Sequence, residues 1–86
     1  MTFLERYELA KTWHEKAIIT ELYHLAMSQR YPGWTITKTA EHFEVSIGLV
    51  SENLRLAHSI HSDENIMKCE SRQDALKHLN GKYRRR

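Results

Sequence analysis

In the middle of this chain two apolar sets with helical spacing stand so close together that only a tight corner can join them. Ala40 and Phe43 belong to the first, Val50 and Leu54 to the second, and Val45 continues the seam across a turn at Glu44-Val45. Ala40 is small, as the crossing point of two close helices demands. Ser46 stands where the second helix would begin, with its hydroxyl placed to cap backbone N–H groups. A turn this short holds its helices at a steep angle. Residues 36–55 are therefore predicted to form a helix-turn-helix. The corner lacks a glycine, so a left-handed residue there would be Glu44, at a cost of about 1 kcal/mol.

Length bounds the rest. Eighty-six residues make one domain with a small core, and a mixed-sign charged fraction of 28% favours a folded chain over a disordered one. No apolar run approaches the roughly 20 residues of a membrane span, and no leader resembles a signal peptide, so no membrane partner is expected. The single Cys69 cannot form an internal disulfide, which suits a reducing, cytoplasmic location. The net charge of +2 is unevenly spread. Residues 1–34 balance four basic against four acidic side chains, residues 35–81 carry five against seven, and Lys82-Tyr83-Arg84-Arg85-Arg86 carries four positive charges. The chain is basic only at its end.

Thr2-Phe3-Leu4-Glu5 and Thr12-Trp13-His14-Glu15 are both capping-box patterns. Phe3, Tyr7 and Ala10 share one helical face. Ile18, Leu22, Leu25 and Ala26 share another, rotated by roughly a quarter turn at about 100° per residue. One straight helix cannot point both stripes at one core. The sequence thus predicts a short helix over 3–11 and a longer one over 13–29, with a break near Thr12; a single curved helix is the alternative. Tyr31-Pro32-Gly33 stops the second. Thr35 or Thr37 caps a third, ending near Phe43. A fourth, over 47–61, presents Val50, Leu54, Ala57 and Ile60. Ser62-Asp63-Glu64 caps a short helix bearing Ile66 and Met67. Ser71 starts a last helix, with Ala75, Leu76 and Leu79 inward, and Asn80-Gly81 ends it. The expected fold is all-α, a single domain over residues 1–81 with about five to six helices. Its N-terminal helices, to residue 31, suit dimerisation. The helix-turn-helix spans 34–61, further helices fill 62–81, and a basic tail occupies 82–86.

A helix-turn-helix that binds double-stranded DNA lays its second helix in the major groove. The start and outer face of that helix carry Ser46, Ile47, Gly48, Ser51, Glu52 and Arg55. Ser46 and Ser51 suit a phosphate or a base edge, Arg55 a phosphate or a guanine, and Ile47 a thymine methyl. Thr37 and Lys38, at the start of the preceding helix, suit phosphate contact, and Arg84, Arg85 and Arg86 add phosphate neutralisation from the tail. Glu52 on this face repels phosphate unless it accepts from a cytosine amine.

Residues 34–57 resemble the DNA-binding domain of ParB-type partition proteins and related plasmid repressors. The resemblance rests on the apolar-Thr pair opening the first motif helix and on Val50-Ser51-Glu52-Asn53-Leu54-Arg55-Leu56 in the second. It continues through the spacing of residues 60–79, including Ala75-Leu76, and so covers about residues 34–80. It implies that Ser46, Ile47, Ser51 and Arg55 lie at the DNA. The family's upstream arginine-rich nucleotide-binding box and separate dimerisation domain have no counterpart here, so partition activity and nucleotide hydrolysis are not implied. What the resemblance implies is a stand-alone transcriptional regulator of the small phage or plasmid kind, bound to the nucleoid when on DNA.

Other chemistries find less support. His58 and His61 have ligand-like spacing near Cys69, but no second close pair accompanies them, and no metal or other cofactor is expected. Cys69 lacks an activating arrangement, no Gly-rich loop precedes a helix, and no catalytic constellation appears, so the chain is expected not to be an enzyme. Trp13, Trp34 and Tyr31 suit core and hinge positions; alternatively, Phe3, Tyr7 and Trp13 offer a homodimer surface, since readers of this type work as two-fold pairs. The alternative is a protein-interaction module on the same scaffold, docking on a polymerase or recombinase. The acidic balance of residues 35–81, with Ile47 and Leu49 beside Glu52, motivates it. A DNA-packaging or recombination accessory factor is a third reading.

Overall fold

The computed structural model describes residues 1–83. Its helices begin where side chains can satisfy the N–H groups that every helix leaves bare. Thr2 caps α1, Phe3–Leu9, and Thr12 caps α2, Trp13–Arg30. In both, the Thr hydroxyl accepts from the N–H of a Glu three residues on, whose carboxylate accepts from the Thr N–H. Extended backbone at Ala10 and Thr12 separates the two helices, which removes the single curved helix as an alternative. Thr35, not Thr37, caps α3, Ile36–Phe43, and Ser46 caps α4, Ile47–Ser62. Asp63 caps a short 3-10 turn, Glu64–Lys68, and the Ser71 hydroxyl accepts from the Asp74 N–H at the start of α5, Arg72–Tyr83.

The last helix departs from expectation. Gly33 is the one glycine among the described residues with positive φ, so Gly81 stays helical and α5 continues through Lys82 to Tyr83. The basic stretch therefore begins on a helix. Among the described residues there is no strand, and no helix is long and apolar enough to cross a membrane. The fold is an all-α bundle.

Packing centres on α2, which lies against α1, α3 and α4. One cluster joins Trp13 and Ala17 of α2 to Leu56 and Ala57 of α4, Ile66 of the 3-10 turn, and Ala75 and Leu79 of α5. A second joins Tyr7, Ile19, Tyr23 and Phe43, with Phe3, Trp34 and Val45 packed around them. Tyr7 and Trp13 are thus core and not an open dimer surface, and the face of α2 expected to point inward is the other one: Leu22, Leu25 and Ala26 are exposed, because Trp13, Ala17, Ile19, Thr20 and Tyr23 fill the contacts with the neighbouring helices. The core face of α4 is rotated from the expected one. It carries Val50, Asn53, Leu56 and Ala57, while Leu54 is only half-buried. Leu54 lies one residue, and hence about 100°, round the helix from Asn53. That places it at the rim.

Candidate nucleic-acid interface

The corner between α3 and α4 is a left-handed helix stop. Glu44 sits at φ 58, ψ 43; its N–H donates to the Glu41 carbonyl, and the Val45 N–H reaches back to the Ala40 carbonyl at 3.0 Å. Those two bonds form the Schellman pattern that glycine usually supplies. Glu44 is the one non-glycine residue with positive φ among those described, and the strain of about 1 kcal/mol is held by the packing on either side. Phe43 before it is 3% exposed, and Val50 after it is fully buried. The next helix starts at once, with the Ser46 hydroxyl accepting from the Leu49 N–H at 3.1 Å.

A buried polar chain fixes how α4 is rotated. The Thr20 hydroxyl of α2 donates to the Lys16 carbonyl at 2.7 Å and accepts from the Asn53 side-chain amide at 3.3 Å. Arg72 of α5 donates from Nε to the Asn53 oxygen at 3.4 Å and from Nη2 to Glu52 at 2.6 Å. Thr20 and Asn53 are buried, and no buried side-chain nitrogen or oxygen among the described residues lacks a partner. Buried polar groups that are fully satisfied specify one arrangement, because any other rotation of α4 leaves a donor bare. The start of α3 is held similarly: the Thr39 hydroxyl accepts from Trp34 Nε1 at 2.9 Å and lies 2.7 Å from His24 Nδ1.

With α4 fixed this way, Ile47, Ser51 and Arg55 fall on one outward row at intervals of four residues, and Ser46 and Gly48 lie exposed at its start. Ile47 is 52% exposed. A Cβ at Gly48 would meet nothing within 4 Å, so packing inside the chain does not require glycine there. Thr37 and Lys38 are exposed on the first turn of α3, where the Lys38 ammonium lies 5.5 Å from the centre of the Trp34 ring. Glu52 is drawn away from this set: it is half-buried and engaged by Arg72. Arg84, Arg85 and Arg86 lie outside the described residues.

The arginines differ in what they touch. Arg6 and Arg30 lie over the Phe3 and Tyr31 rings, and Arg72 holds Glu52 and Asn53. Among the described residues, Arg55 makes no ion pair, hydrogen bond or ring contact. Beside it, Leu54, His58, Ser59 and Leu79 line a shallow groove between α4 and α5. His58 was visible in the sequence only as one of two spaced histidines. Extending the row Ser51, Arg55 by a further three residues would have placed it on this face.

The other histidines join elements. His61 Nε2 lies 2.9 Å from Glu21 of α2, His78 Nε2 lies 2.9 Å from Asp63, and His14 Nε2 lies 3.1 Å from the Met67 carbonyl. His42 stacks on Tyr23, with ring centres 4.2 Å apart; burial raises the Tyr23 hydroxyl pKa above its usual value, with nearby Tyr31 adding to the effect. Among the described residues no three His, Cys, Asp or Glu side chains converge on one point. Comparison with protein-family models, with characterised proteins and with solved structures finds no match to the chain.

Proposed function

We propose that this chain is a small, non-catalytic, sequence-specific double-stranded DNA-binding protein. In this reading it is a transcriptional regulator of the ParB-like kind that lays α4 in the major groove and works as a homodimer in the cytoplasm, on the nucleoid when bound. The observation that carries the reading is Arg55, an arginine with no partner among the described residues, on an outward row of the second helix of a helix-turn-helix. Arginine is suited to a guanine edge or a phosphate, which it can engage with two parallel N–H bonds.

Two further features support it. Arg72 neutralises Glu52, so the acidic group that sequence places on this face does not stand unpaired beside Ser51. Glycine inside a helix costs about 0.5–1 kcal/mol relative to alanine. Nothing in the fold requires that cost at Gly48, whereas a phosphate backbone pressed against the start of α4 would. Gly48→Ala should therefore stabilise the fold and weaken DNA binding together.

The deciding experiment is selection of bound duplexes from a random pool at two salt concentrations, followed by titration of the winning site. A consensus is expected, with affinity falling steeply as salt rises. Arg55→Ala should lose roughly 1–3 kcal/mol, or about 5- to 150-fold, and relax the preference at one position of the site. Removal of residues 84–86 should weaken all sequences about equally. Retention of the wild-type affinity and consensus by Arg55→Ala would sink the assignment of α4 as reading helix.

A protein-docking role is the second reading, favoured by the half-exposed Ile47 within an acidic stretch. Failure to retain any duplex at low salt, with stable capture of one polymerase or recombinase subunit, would select it.

A further inference from the structure

The groove between α4 and α5 holds an oxygen that the fold leaves unused. Hydroxyls inside helices commonly return to the carbonyl one turn back. Thr20 does so to Lys16, and Ser62 to His58. Ser59 does not: it is only 4% exposed, yet its hydroxyl makes no hydrogen bond among the described residues. No enclosed side-chain oxygen among those residues lacks a partner, so the Ser59 oxygen keeps part of that small exposure, in the groove it lines. Arg55 and His58 line the same groove, one turn apart on one helix face, and both are exposed. Like the Arg55 guanidinium, the His58 ring has no partner among the described residues. Leu54 and Leu79 supply the apolar wall, and none of the five lining residues is acidic. The groove offers 430 Å³, within the roughly 300–1,000 Å³ of small-molecule sites.

We infer that this groove binds a small amphipathic carboxylate. Charge sets the head group. Arg55 is the one permanent cation among the described lining residues, so it balances a monoanion, and its planar fork matches the two oxygens of a carboxylate. A His58 ring N–H and the Ser59 hydroxyl are further donors to the same head. The two leucines set the body: an aryl or branched alkyl group removes apolar surface from water there, which a sugar-phosphate backbone does not. The chain's own last residues have the wrong sign for the site, since Lys82-Tyr83-Arg84-Arg85-Arg86 carries four positive charges. The site rests on the fold alone, whereas its consequence rests on the proposed function. An Arg55 fork turned to a carboxylate is withdrawn from guanine or phosphate, so ligand and duplex compete for it. The ligand is then an inducer that releases DNA.

Titration of the intact chain with 4-phenylbutyrate, followed by proton–nitrogen correlation NMR without DNA, tests the site. Saturable shifts centred on residues 54–59 and on Leu79 are expected. The neutral 4-phenylbutanol keeps the body and loses the charge, and acetate keeps the charge and loses the body. Each should bind roughly tenfold or more weakly. Arg55→Ala should weaken phenylbutyrate by roughly tenfold or more. Ser59→Ala separates ligand from fold, because the hydroxyl has no partner to lose and alanine favours a helix. Its urea midpoint should hold or rise while affinity falls roughly two- to tenfold. Equal binding of the butanol, equal binding by Arg55→Ala, or no saturable binding overturns the proposal. At saturation phenylbutyrate should also weaken binding of the selected duplex, and an undisturbed duplex overturns the competition. A chain that holds phenylbutyrate but no duplex fails the proposed function alone.

Discussion

The two hydrophobic clusters are built from different materials and seal themselves differently. Under α4 and α5 the filling is mostly aliphatic and small: Ala17, Leu56, Ala57, Ile66 and Ala75 have no exposed surface. Alanines let backbones approach, so the leucine and isoleucine between them are enclosed on all sides. Around α1 and α3 the filling is aromatic. Tyr7 and Phe43 lie tilted against each other with ring centres 4.8 Å apart, Tyr23 packs edge-to-face with Phe3 and Phe43, and Tyr7, Ile19 and Tyr23 each remain 7% exposed. These rings keep polar handles at the surface and gain from ring geometry beyond the area they bury. A closed aliphatic cluster loses most when a side chain is shortened, whereas a rimmed aromatic one can adjust. The helix that is proposed to read DNA is seated on the first cluster and steered by the second through the α3 corner.

The sharpest way to break this contrast is Leu56→Ala. A fully enclosed leucine replaced by alanine should cost about 2–5 kcal/mol, read as a fall in the urea midpoint with unchanged slope. Tyr7→Leu in the aromatic cluster should cost less, about 0.5–1.5 kcal/mol for the lost ring pairing. The reverse order would remove the distinction. Next comes Asn53→Ala, which strips partners from Thr20 and Arg72 on the seat of α4. It should cost about 1–3 kcal/mol by the same measurement. If the network also sets the rotation of α4, this variant should lose DNA discrimination even where enough stability remains.

How much of this was legible in the sequence depends on whether the signal was local. The caps at Thr2, Thr12 and Ser46 and the left-handed Glu44 were readable, because each needs only its immediate neighbours. The register of α4 was not. An apolar Leu54 looked like core and a polar Asn53 did not, yet Asn53 is buried and Leu54 is at the rim. Burial of Asn53 depends on Thr20, more than thirty positions earlier, and on Arg72 in another helix. The engagement of Glu52 by Arg72 was hidden for the same reason. At the chain's end, Asn80-Gly81 offered a stop, but glycine permits a left-handed turn without compelling one.

Two smaller effects sharpen the picture. Glu44→Gly should stabilise the fold by about 1 kcal/mol, seen as a higher urea midpoint, because it relieves the left-handed backbone that links the two clusters. No gain would mean that the Glu44 side chain has a compensating role. Glu15 gives the smallest effect. Its folded pKa is lowered from 4.5, so its contribution is present above that value and is lost as pH falls through the lower, folded one. NMR titration should find the Glu15 carboxyl, held down mainly by hydrogen bonds from the Lys11 and Thr12 N–H groups, titrating below the ordinary glutamate value of 4.5, and Glu15→Gln should flatten that part of the stability profile.

The placement of the two tryptophans gives the molecule a built-in pair of optical reporters. Trp13 belongs to the aliphatic cluster, with its indole N–H donating to the Cys69 carbonyl at 2.9 Å and its ring stacked on His14. Trp34 belongs to the aromatic cluster and donates to Thr39 of α3. Phenylalanine at either position would leave a chain whose tryptophan fluorescence comes from one cluster alone. The tryptophan emission of the unaltered chain is thus a composite of two separate places, one near the seat of α4 and one near the corner that precedes it.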